Sequence, residues 1–254
     1  MAMFLVAVAF MLACSNEASN PHKSSTEQGE RPENSMSIEL IHGTAKPTHA
    51  IIWLHGLGAS ANDFPPIVDH LGLNHSPSIQ FIFPQAPDRP ITVNNGYVMP
   101  GWYDIKGLNM KDKQDREGIE QSRATVETII QEQISKGIAS ENIILAGFSQ
   151  GGAVSYYTAL RSHHRLAGVL AMSTYLVFPD ESETEQTPVN KGIPIFASHG
   201  TQDSMVPVGL GEQGAQKVKS LGYEVTWKTY PMEHEVNIEQ IKDIGAWING
   251  VFGG

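Results

Sequence analysis

Short apolar runs rich in β-branched residues alternate with longer stretches of helical period along most of this chain, and that alternation leaves few folds open. Strands are predicted at His49 to Leu54, Ile79 to Phe83, Asn142 to Ala146, Leu166 to Met172, Ile193 to Ser198 and Glu224 to Tyr230. Between them, helices are predicted over about Asn62 to Leu71, Asp115 to Lys136, Ala153 to Leu160 and Gly209 to Ser220, with a last one from Ile238 to Asn249. Strands that are apolar at successive positions are buried on both faces, and strands joined through helices run parallel. The expected fold is therefore α/β, a mostly parallel central sheet with helices on both faces and its reactive loops at the carboxyl ends of the strands. In the last helix Ile241, Ile244, Ile248 and Val251 recur at helical spacing, and Asn237 is placed to cap it.

The hexapeptide Gly147-Phe148-Ser149-Gln150-Gly151-Gly152 sits where one such strand hands over to its helix. Gly-x-Ser-x-Gly at a strand-to-helix bend is a nucleophile elbow: the glycines let neighbouring backbone come close, and the bend exposes the serine hydroxyl. The helix that follows aims its unpaired N–H groups and positive dipole end at the place where charge develops in acyl transfer. A plain surface turn with an idle serine is the alternative, and it would lack the strand-to-helix frame. Serine needs a base, and histidine is the usual one. Of ten histidines, His234 lies in a loop between the last strand and the last helix, which fits the order serine, acid, histidine used by α/β-hydrolases. Asp203 follows the strand ending at Ser198, where a carboxylate can hold the imidazole tautomer. Asp180, Glu181, Glu183 and Glu185 stand in a polar, proline-bounded stretch that reads as a solvated loop. For an oxyanion the donors expected are the N–H of Gln150 and the N–H of Leu57, in the early loop His55-Gly56-Leu57-Gly58.

That loop also matches the dinucleotide fingerprint G-x-G-x-x-G/A over residues 56–61. The second strand, however, ends Phe83-Pro84-Gln85, with no carboxylate to grip a ribose. His-Glu-x-x-His zinc spacing is missing, so no cofactor and no metal are expected.

At 254 residues, 41% hydrophobic and 17% charged, the chain suits one such domain and a short appendage. A net charge of -10 without a Lys/Arg cluster argues against nucleic acid as a partner, because phosphate binding requires a basic surface. Membrane contact would have to come from the N-terminus. Ala2 to Ala13 is apolar, too short to span a bilayer but suited to the h-region of a signal peptide, and it stops at Cys14, the only cysteine. Met11-Leu12-Ala13-Cys14 resembles the lipobox of bacterial lipoproteins, although the leucine stands two places before the cysteine rather than three and Met1-Ala2-Met3 carries no cation. On that resemblance residues 1–14 are a signal peptide ending at a lipid-modified Cys14, 15–35 a flexible polar tether, and 36–254 the folded domain. The protein is then expected at the cell envelope, anchored to a membrane and facing the periplasm or the exterior. An ordinary secretory signal is the alternative. The oligomeric state is left open, a dimer included.

With these residues in place, the chain resembles the phospholipase/carboxylesterase (acyl-protein thioesterase-like) family of α/β-hydrolases from about His49 onward. The stretches that carry the resemblance are HGLGASANDF at 55–64, FPQAPDRPITVNNGYVMPGWYDI at 83–105, GFSQGGA at 147–153, HGTQDSMVP at 199–207 and EHEV around His234. The resemblance implies a Ser149, Asp203, His234 triad with Leu57 and Gln150 as oxyanion donors, and Trp102, Tyr175, Leu176 and Val206 as lining of an acyl groove. Glu233 stands where the family commonly has glycine, and a carboxylate beside an imidazole favours its protonated form. The function implied is a serine carboxylesterase acting on esters or thioesters through an acyl-enzyme, with lysophospholipase or acyl-protein thioesterase as the narrower activity. A non-catalytic tethered binding protein on the same fold is the rival.

Overall fold

A computed structural model describes residues 37–73, 76–107 and 114–253; Cys14 and the proposed tether lie outside them. The main sheet is built from β1 (Ser37–His42), β2 (His49–Leu54), β3 (Ile79–Pro84), β6 (Ile143–Phe148), β7 (Gly168–Met172), β8 (Pro194–Gly200) and β9 (Glu224–Tyr230), in the order β1-β3-β2-β6-β7-β8-β9. β1 runs antiparallel to β3, and the other neighbours pair parallel. β4 (Asp88–Ile91) and β5 (Tyr97–Pro100) form a separate antiparallel hairpin.

The two-fold period of the strands splits the core into two layers. From β2, Ala50, Ile52 and Leu54 face one layer, where they meet α1 (Arg116–Ser135), α2 (Gln150–Arg161) and Val218 of α4 (Val208–Ser220). Ile51 and Trp53 face the other, with Phe64, Ile67, Val68 and the Ile241, Ile244, Ile248 stripe of α5 (Ile238–Gly253). Each fully buried aliphatic or phenyl side chain here contributes about 1.5–3 kcal/mol. The helices on both sides are thus held by the alternation already present in the strands. A short α3 (Ser182–Glu185) interrupts the stretch expected as loop.

The differences from expectation have local causes. The helix predicted over Asn62 to Leu71 is a 3-10 segment, Pro65–His70, since Pro65 and Pro66 lack the N–H groups that an α-helix would use. α2 starts at Gln150, through Gly151 and Gly152, whose low helix propensity hid the first turn. β1 was not predicted: it is an edge strand with mostly exposed side chains, so burial wrote little pattern into it. The hairpin was not predicted either. It turns through Asn95 and Gly96, both at positive φ, with Gly96 N–H bonded to Ile91 O at 2.9 Å.

Candidate active site

Ser149 caps α2 at φ 53° and ψ -119°, a conformation that costs a non-glycine residue about 1–3 kcal/mol. Three bonds hold it there. Its N–H donates to Met172 O at 2.8 Å, and its carbonyl accepts from Thr174 Oγ1 at 2.6 Å and from Ala153 N–H at 3.2 Å. The flanking glycines are required by packing: a β-carbon on Gly151 would lie 2.6 Å from His55 O, and one on Gly147 would run into the Gly151 carbonyl. A strand and a helix pressed this closely force the serine outward between them.

His234, in the loop after β9, directs Nδ1 at Asp203 Oδ2 across 2.7 Å, and its ring packs on Phe148 with centroids 4.8 Å apart. Burial pushes the Asp203 carboxyl upward, but hydrogen bonds from His199 and His234, the charge of His234 and the Val206 N–H hold it well below the usual carboxylate range. An ionised Asp203 can only accept, so His234 carries a proton at Nδ1, and in the neutral ring its Nε2 is the acceptor. Asp203 Oδ1 accepts from Met205 N–H at 2.9 Å and Val206 N–H at 2.8 Å. Glu233 is exposed.

Leu57 and Gln150 line the same cleft as Ser149 and His234. Neither of their N–H groups takes part in a loop or cap backbone bond among the described residues. The Leu57 loop is anchored from below by His55, whose Nδ1–H donates to Gly56 O at 2.7 Å while Nε2 accepts from Ala86 N–H at 3.0 Å. Burial lowers the His55 pKa, in keeping with the neutral ring this bonding needs. The chain makes turns rather than an α-helix after Gly58, so the dinucleotide reading finds no helix N-terminus to hold a phosphate. Among the described residues no group of three or more His, Cys, Asp or Glu could hold a metal ion.

The cleft holds about 830 Å³ of empty space, its open mouth included. Tyr175 and Val206 line it, together with Val93, Asn94, Met99, Ile105 and Met205, which are mostly apolar. Trp102 and Leu176 do not. Trp102, 1% exposed, is a strut: its indole N–H donates to His55 O at 2.8 Å and its backbone N–H to Gln150 Oε1 at 2.8 Å. Leu176 points into the α1/α2 core, where it escapes the polar rim of the loop that carries it. Gln150 also donates through Nε2 to Tyr103 O at 2.7 Å, so one carboxamide joins the elbow to the segment after β5. The supporting residues His55, His199, Thr174 and the Gln150 side chain, and the hairpin's share of the cleft, were missed from sequence. The histidines had a readable signal, since each stands before a glycine at or just past the end of a buried strand.

The fold, with an elbow serine, a histidine after the last strand and a carboxylate between them, is that of an α/β-hydrolase. The family described as Phospholipase/Carboxylesterase matches residues 36–251. An acyl-protein thioesterase 1 from Gibberella zeae is 36% identical over 218 residues, covering 82% of this chain and 93% of that protein. One from Neurospora crassa is 36% identical over 214 residues, covering 81% and 87%. The structure of Arabidopsis thaliana SOBER1 superposes with a TM-score of 0.74 at 30% identity, over 80% of this chain and 98% of that one. Zea mays acyl-protein thioesterase 2, at 23% identity, superposes with a TM-score of 0.75 over 87% and 99%, and supports the fold. The chain belongs to the phospholipase/carboxylesterase family. It is an enzyme of the carboxylic ester and thioester hydrolase class.

Proposed function

We propose that Ser149, His234 and Asp203 carry out this hydrolysis as a nucleophile, base and orienting acid. The observation that supports this most directly is the 2.7 Å contact from His234 Nδ1 to Asp203 Oδ2, beside a serine that lines the same cleft. His234 Nε2 takes the proton as Ser149 Oγ attacks the carbonyl, and the oxyanion accepts from the N–H groups of Leu57 and Gln150. His234 then passes that proton to the departing alcohol or thiol, leaving an acyl-serine. Water, deprotonated by the same nitrogen, releases the acid. The apolar cleft suits an acyl chain, and the acyl-protein thioesterase relatives make fatty-acyl thioesters the first substrates to test. A fluorophosphonate is expected to label the enzyme at Ser149, and Ser149→Ala to abolish both labelling and turnover. Labelling that persists in Ser149→Ala refutes the assignment. A chain-length series of p-nitrophenyl esters and acyl thioesters then sets the preference.

For location, we propose a lipid anchor on Cys14 that holds the domain at the cell envelope. Support comes from the apolar Ala2 to Ala13 stretch ending at the sole cysteine. Cys14→Ser is expected to move the protein from the membrane fraction to the soluble one, and equal solubility of the two forms counts against the anchor.

A further inference from the structure

We propose that His199 is a positioning residue that references the Asp203 carboxylate to the rigid sheet, so that Oδ2 meets His234 at a fixed place and angle. The inference rests on the triad reading above. His199 is in the last turn of β8 toward the site, fully buried, with the Trp227 ring 6.0 Å away. Its Nε2 faces two acceptors, Val206 O at 2.8 Å and Asp203 Oδ2 at 3.3 Å. Neither acceptor has a hydrogen to give, so Nε2 carries a proton, and in the neutral ring Nδ1 is bare.

That bare nitrogen is buried without a donor. Gly211 of α4 presses on it: a β-carbon there would stand 2.7 Å from His199 Cε1, nearer still to Nδ1, and 3.1 Å from Thr174 O. Folds avoid orphaned buried acceptors, and an apolar side chain at 199 would dispense with this one. What only the imidazole supplies is the N–H on its other side. Asp203 accepts three hydrogen bonds, and His199 Nε2 stands against Oδ2 as a fourth, longer contact at 3.3 Å. The two on Oδ1, Met205 N–H and Val206 N–H, belong to its own loop and move with it. On Oδ2 the hydrogen-bond donor, His234, is the group to be oriented. This leaves His199, whose Nε2–H donates to Val206 O in the Asp203 loop and lies against Oδ2, as the group that ties loop and carboxylate to the sheet.

The test compares His199→Leu, which removes the donor, with His199→Gln, whose side-chain N–H can reach the same acceptors, using p-nitrophenyl butyrate. His199→Leu is expected to lower kcat about ten- to a hundredfold, the usual effect of losing a hydrogen bond to a charged group, with KM nearly unchanged. His199→Gln restores most of kcat. In an Asp203→Asn background the Leu substitution has little further effect, because its action runs through the carboxylate. Wild-type kcat in His199→Leu, equal impairment of Leu and Gln, or the same fold loss in both backgrounds overturns the proposal. If Asp203→Asn alone leaves kcat intact, the triad reading itself falls and this inference with it. Should His199→Leu fail to fold, Gly211→Ala, whose methyl group displaces the ring, carries the same test. Its expected result is a lower kcat at steady KM, and wild-type kcat there overturns the inference.

Discussion

Replacing Gly151 by alanine sets two effects against each other. Within a helix, alanine is favoured over glycine by about 1 kcal/mol. Here the new methyl group would lie 2.6 Å from His55 O and 2.7 Å from Leu54 C, both main-chain atoms with no rotamer to yield. Opening the first gap to an ordinary 3.4 Å contact takes about 1 Å of movement of α2 away from β2. Overpacking of this kind costs about 1–3 kcal/mol. The net expectation is a loss of up to about 2 kcal/mol, which is up to roughly 8 °C in Tm for a domain of this size. The rate should suffer more than the stability. α2 carries Ser149 and the Gln150 N–H while Leu57 stays with β2, and a displacement of about 1 Å between reacting groups costs on the order of a hundredfold. Thermal melts and kcat/KM on a p-nitrophenyl ester measure both. Gly250→Ala is the control, because nothing lies within 4 Å of that site in α5, and it should gain a few tenths of a kcal/mol up to about 1. A Gly151→Ala enzyme with wild-type kcat/KM and an unchanged or raised Tm would refute the claim that close approach dictates this glycine.

Asp203→Asn is expected to lower kcat about a thousandfold or more, since an amide no longer enforces the Nδ1–H tautomer of His234; a loss below tenfold would contradict that function. The same residue links stability to acidity. Its folded carboxyl is held below the ordinary value of 3.8, so its contribution is complete above that value and drains away as pH falls toward the folded one. Tm should therefore decline less between neutral pH and pH about 3 in Asp203→Asn than in the wild type, and parallel curves would contradict this. Gln150→Ala orphans the buried Trp102 N–H and Tyr103 carbonyl, each worth about 1–3 kcal/mol; urea unfolding should register a loss of 2 kcal/mol or more, and no measurable loss would deny the carboxamide its bridging role. Tyr103→Phe leaves the Tyr175 hydroxyl without its 2.7 Å partner at the cleft wall, and is expected to weaken binding of long acyl chains by burying an unpaired polar group beside them; an unchanged KM series across chain lengths would exclude that.

Legibility in the sequence followed burial. β2, β3, β6, β7 and β8 read as strands because they are apolar on both faces, and β9 read from its β-branched alternation. β1 and the β4/β5 hairpin did not read, since an edge strand and an exposed ribbon owe their shape to pairing partners rather than to their own pattern. At the site, residues marked by glycine spacing or by chain order, such as Ser149, Asp203 and His234, stood out. Residues that act through one hydrogen bond, such as Thr174 and His199, left no periodic trace. Trp102 and Leu176 show the limit from the other side: an apolar residue beside a site is written the same way whether it faces the cleft or the core.

The sequence by itself determined the layer order, the parallel sheet, the elbow at Ser149 and the family, because periodicity and glycine placement are local consequences of backbone geometry. Only the tertiary structure decided which groups meet. Gly151 touches β2, His234 reaches Asp203, and Gly211 of α4 closes on the His199 ring. These contacts join segments far apart in the chain, and the distances between them are set by helices packing on a sheet, which no stretch of sequence encodes alone.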